Sequence, residues 1–167
     1  TTSGTVTLTG MTGTDGARRL NAFQRVLGQT HGHAMERAFA DVRDEAITLD
    51  GQIRTALDAA PALATAFPDT SLGRQLRMVA RMIGIRQSLL LQRQVFFVRL
   101  DGFDTHDNQT TQHPLLLSVL GDACAAFQAA MAELAIEADV TLFTISEFGR
   151  TLTSNGRGTD HGWGGVQ

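Results

Sequence analysis

The chain has no lysine, one cysteine, three prolines, and no window with the roughly 18 consecutive apolar residues that a membrane helix needs. The missing run argues against a spanning helix. The stretch Thr1 to Gly10 has no basic start followed by an apolar core, so it does not read as a signal peptide. Cys124, alone, forms no internal disulfide. Its alanine-rich helical surroundings read as packing, and it says almost nothing about the redox compartment. All fourteen basic residues are Arg, which reads as codon bias, although Arg also suits bidentate contacts with phosphate or carboxylate. Against seventeen acidic residues they leave a net charge of −3. A chain so charged offers no basic field to collect nucleic acid or anionic lipid.

What is present is a globular balance, 43% apolar against 19% charged over 167 residues, enough for one domain with a buried core. Residues 1–16 are rich in Gly, Thr and Ser, and the alternation at Val6 and Leu8 reads as an edge strand or an extended arm. Helical spacing then runs from Asp15 to Leu27 and from Ala34 to Ala60, where Pro61 and Pro68 end it. Asp69, Thr70 and Ser71 offer N-caps for a third helix, with Leu76, Val79, Ile83 and Leu90 on one face and four arginines on the other. Residues 1–93 thus read as a mainly helical segment packing on a sheet, and 94–167 as strand, helix, strand and loops of the same domain. The strands are Val95–Leu100 and Val140–Ile145, the helix runs from Pro114 to Leu134, and residues 149–167 read as a glycine-rich loop. A connection of this length predicts a right-handed crossover between parallel strands, hence an α/β fold with a parallel-sheet core.

In such sheets ligands bind beyond the carboxyl ends of the strands, where two polar clusters fall. Asp104 and His106 stand two residues apart just past the first strand. They suit a shared cation, or else cap the next helix and bond to loop backbone. Ser146-Glu147-Phe148-Gly149-Arg150 follows the second strand, and Asp160-His161 comes after a loop. Two acidic–imidazole pairs on neighbouring strand ends suit one or two divalent ions. Arg150 either holds an anion's oxygen or pairs with Glu147. His31-Gly32-His33 reads as a solvated turn or a ligand pair, His113 before Pro114 as a helix-entry residue, and Trp163 as a pocket lid or loop packing.

The motifs Gly-Phe-Asp-Thr-His-Asp-Asn-Gln from Gly102, Ser-Glu-Phe-Gly-Arg-Thr-Leu-Thr-Ser-Asn-Gly from Ser146 and Gly-Thr-Asp-His-Gly-Trp-Gly from Gly158 resemble, in this order, the bacterial domain-of-unknown-function family 1501. Phe-Pro-Asp-Thr-Ser-Leu-Gly-Arg-Gln-Leu from Phe67 also fits, so the resemblance covers most of residues 67–165. That family is similar to the alkaline phosphatase and sulfatase superfamily. The resemblance implies that superfamily's parallel-sheet fold, incomplete in this chain, with helices flanking the sheet. It also implies one or two divalent ions, zinc being the expected metal, ligated by Asp104, His106, Asp160 and His161, with Glu147 competing with Asp160 as a ligand. Arg150 would meet a small anionic ester. The upstream strand that should bring a Ser or Thr nucleophile and the downstream segment that should bring a further His have no counterpart, so the chain reads as a carboxy-proximal piece that is inactive alone. Export to the periplasm by the twin-arginine route is implied as well. The expected function is phosphate or sulfate ester hydrolysis by a metal-dependent hydrolase; the alternative is a non-catalytic exported binding or scaffold module.

Overall fold

The periodicities read above become four α-helices: α1 (Gly13–Leu27), α2 (Ala34–Ala59), α3 (Ser71–Gly84) and α4 (Gln109–Glu133). A 3₁₀ turn (Glu137–Asp139) and two strands, β1 (Gly149–Ser154) and β2 (Thr159–Gly162), follow. A computed structural model describes residues 10, 11 and 13–165, so the arm or edge strand expected around Val6 and Leu8 lies outside the described residues. The chain divides into two compact units. One holds the described residues up to Ala60 together with Ile85–Gln92, and the other holds Pro61–Gly84 and the described residues from Arg93 onward.

In the first unit α1 contacts α2, and Leu27, Ala40 and Leu57 are buried. The His-Gly-His segment serves the turn between the helices. His33 Nδ1 accepts the Met35 N–H at 3.2 Å and caps α2, and Arg37 donates to the carbonyls of His31 and Gly32.

The second unit is built on α3 and α4. Thr70 Oγ1 accepts the Gly73 N–H at 3.0 Å and caps α3, the start expected from the Asp-Thr-Ser run. Leu72, Leu76, Ala80 and Ile83 of α3 then form one core with Ala123, Phe127, Ala130 and Met131 of α4 and with Ile136. Burying this set is the main drive for folding the unit. The helix α3 stops at Gly84, short of the expected Leu90, whereas α4 starts at Gln109 and carries Pro114 inside it. At its far end the Glu133 carboxylate accepts the N–H groups of Ala64 and Thr65 at 2.7 and 2.8 Å and the Thr65 hydroxyl at 2.6 Å. These bonds tie the approach to α3 onto the last turn of α4. Apolar residues lie on every side of α4: Ala123, Phe127, Ala130 and Met131 are buried, whereas Leu115 and Leu117 are exposed. Among the described residues it is the one helix long and apolar enough, by length and composition, to cross a membrane.

The parallel-sheet core of alkaline phosphatase-like type is overturned. Among the described residues the only sheet is the antiparallel pair β1–β2. Val95–Leu100 and Val140–Ile145 are irregular. Both have the composition of buried strands, but a strand exists only where another strand takes its backbone groups. At Arg99 a side chain takes them instead: Gln75 Oε1 accepts the Arg99 N–H at 3.0 Å, and Gln75 Nε2 donates to the Arg99 carbonyl at 2.9 Å. Val98, Leu100 and Val140 pack on the helical core, while Val95 is 98% exposed and Phe97 80%. The tail expected as loop instead forms the hairpin, whose turn contains Asn155-Gly156, a dipeptide suited to the positive φ of tight turns; Gly156 has φ +92°.

Candidate metal centre

Two segments of the second unit carry the polar clusters: the loop Asp101–Asn108 before α4, and the hairpin. The loop is held from below by α4, whose His113 Nε2 lies 2.9 Å from Thr105 Oγ1 and whose imidazole meets the Phe103 ring edge-on at 5.5 Å. The hairpin is held by the first residue of α4, because Gln109 Oε1 accepts the Thr159 N–H at 2.6 Å and the Thr159 hydroxyl at 2.9 Å. Asn155 shapes the turn by accepting the N–H groups of Arg157 and Gly158, and its amide donates to the His106 carbonyl at 3.1 Å. Gly158 passes so close to the loop that a Cβ there would come within 2.9 Å of Gln109 Oε1 and 3.0 Å of the His106 carbonyl.

This docking brings the two acidic–imidazole pairs together. Asp104 Oδ1 lies 2.7 Å from His161 Nε2 and 3.2 Å from His106 Nε2, and His106 Nδ1 lies 3.0 Å from Asp160 Oδ1. Asp104, His106 and His161 offer ligand atoms all within 4.8 Å of one another. Bonds of about 2.0–2.2 Å to zinc place neighbouring ligand atoms of one ion about 3.3–3.6 Å apart, so a cation would take the place of the Asp104–His161 contact, which opens from 2.7 Å to admit it. Carboxylate oxygen and imidazole nitrogen are also the donor types that zinc accepts. The rings of His106 and His161 stack at 5.1 Å, and the Phe148 ring stacks on that of His161 at 4.1 Å.

The electrostatics follow from the same contacts. The Asp160 hydrogen bond, aided by the charge of Asp104, raises the His106 pKa above the ordinary imidazole value. The hydrogen bond from His161 holds Asp104 below the ordinary carboxyl range, and the bond from His106, with help from Asn155, does the same for Asp160. Asp104, His106 and Asp160 are thus favoured in their charged forms, at a surface where these three side chains and that of His161 keep contact with solvent.

Of the residues singled out in the sequence, Asp104, His106, Asp160 and His161 meet here. Glu147 is exposed and is not part of the three-residue ligand set. Arg150 turns its guanidinium to the backbone carbonyls of Phe103, Thr105 and Thr159. Trp163 is 89% exposed and packs little. Gln109, Asn155 and Gly158 position the site and were not singled out. For Asn155 a signal existed, since Asn-Gly between alternating residues marks a hairpin. Nothing local marks Gln109, whose partner lies fifty residues away.

No curated protein and no solved structure matches the chain. A protein-family model described as protein of unknown function (DUF1501) matches residues 6–167, both ligand-bearing segments included. The chain therefore belongs to the DUF1501 family.

Proposed function

We propose that the chain carries the divalent-metal centre of a hydrolase acting on phosphate or sulfate esters, as its resemblance to the alkaline phosphatase and sulfatase superfamily suggests. The observation that carries this reading is the convergence of Asp104, His106 and His161 from two segments far apart in the chain. In this reading Asp104 and His161 ligate through Oδ1 and Nε2. His106 ligates through Nε2, because Asp160 occupies its Nδ1 side. A carboxylate accepts only, so Nδ1 keeps the proton and Nε2 offers a lone pair. Asp160 is then the group that orients His106 and not itself a ligand. A bound cation supplies Lewis acidity toward an ester oxygen.

A non-catalytic binding or scaffold module is the second reading, and one observation favours it. The hydroxyls beside the centre are engaged elsewhere: Thr105 with His113, Ser146 with the Phe148 carbonyl, Thr159 with Gln109. Only Thr105 has a neighbouring base, the His113 imidazole, and neither residue belongs to the ligand set. Zinc titration against a chromophoric chelator tests the metal reading. The expected result is stoichiometric binding by the 167-residue chain, lost in Asp104→Ala/His161→Ala. Absence of binding, or full retention in the double variant, overturns it. Aryl phosphate and aryl sulfate turnover by the natural protein, whatever its length, separates hydrolase from scaffold.

A further inference from the structure

The two segments of the centre lie more than fifty residues apart, and their separation decides whether Asp104 and His161 face each other at 2.7 Å. Arg150 touches both segments. Its Nη1 donates to the Thr105 carbonyl at 2.6 Å and to the Thr159 carbonyl, and its Nη2 donates to the Phe103 carbonyl. Phe103 and Thr105 flank Asp104, Thr105 precedes His106, and Thr159 precedes Asp160 and His161. One planar guanidinium thus joins the backbone on both sides of one ligand to the backbone leading into the others.

The arginine itself is well anchored. Its own N–H and carbonyl pair with Gly164, it stands opposite His161 in the hairpin register, and its guanidinium lies over the Phe148 ring at 5.1 Å. Since Phe148 also stacks on His161, displacing the guanidinium disturbs the ring that backs a ligand.

We infer that Arg150 is a positioning residue that clamps the loop and the hairpin into one centre, and is not a contact for the substrate anion. The inference rests on the metal reading above for its consequence, though the clamp exists without an ion. Only a rigid fork of N–H donors reaches three carbonyls in this way; a lysine ammonium keeps the charge and loses the fork.

The test compares wild type with Arg150→Lys. Zinc affinity is read by chelator competition, and the ring-nitrogen NMR signals of His106 and His161 are read without metal. Folding is followed by circular dichroism. The clamp predicts zinc affinity lower by about 10–100-fold, the range found when groups supporting metal ligands are removed. It also predicts that both histidines shift toward solvent-exposed values while the helical signal persists. If the lysine variant does not fold, Arg150→Gln, which keeps a planar donor of smaller reach, is read in the same way. Unchanged zinc affinity with weaker inorganic phosphate binding at saturating zinc overturns the clamp in favour of the anion contact. If wild type binds no zinc, the metal reading falls. The metal-free ring signals then decide the clamp alone: a shift on substitution supports it, and unshifted signals overturn it.

Discussion

The carboxylate of Asp160 faces His106 Nδ1 at 3.0 Å, and this contact decides which ring nitrogen is left for a cation. Asp160→Asn keeps the shape but removes the charge that fixes the tautomer. Zinc affinity is expected to fall about 10–100-fold, with the ligand count unchanged, in a chelator competition. Such roles were only half legible in the sequence. Asp104-x-His106 and Asp160-His161 could be picked out because the chemistry is carried by residue type at short spacing. Whether each acts as ligand, orienter or clamp depends on which atoms meet across the fold, and no spacing encodes that. Arg150 shows the limit: beside Glu147 in the sequence it suggests an ion pair or an anion site, yet its partners are three carbonyls from segments distant in the chain.

Helices were legible because their signal is local. The periodicity of Ala34–Ala59 and the cap at Thr70 are contained within a few residues. The Val95–Leu100 run failed for the opposite reason, since its state depends on a partner that composition cannot specify, and a glutamine amide fills part of that role. At the end of α4, Glu133 runs against the helix dipole, which disfavours negative charge at a C-terminus. It is retained by the Thr65 hydroxyl and the N–H groups of Ala64 and Thr65, which hold its pKa below the ordinary glutamate value of 4.5. A carboxyl with a depressed folded pKa contributes stability above its unfolded pKa and loses it as the pH falls through the folded one. Glu133→Gln should therefore be less stable than wild type in urea at pH 7, and the gap should narrow below pH 4.5, toward the folded pKa.

On the scale of the whole molecule, family membership spans both compact units, while every residue assigned to the centre belongs to the second. The helix α4 separates the two halves of that centre in the chain, and its 25 residues make a rod about 37 Å long. A bilayer-spanning α4 would strand Asp104 and His106 on one side of the membrane and Asp160 and His161 on the other. For the halves to meet, the residues between Leu134 and Phe148 would have to recross the hydrocarbon, and among them only a single 3₁₀ turn is regular. Irregular backbone exposed to lipid leaves its polar groups unsatisfied. For the contacts of about 3 Å between Asp104 and His161 and between His106 and Asp160 to form, both ends of the rod would have to lie on one side of any membrane, and we propose that they do. The chain is accordingly expected in the aqueous phase of a Triton X-114 separation. Recovery in the detergent phase, with the zinc site intact, would mean that α4 lies along a membrane surface without piercing it.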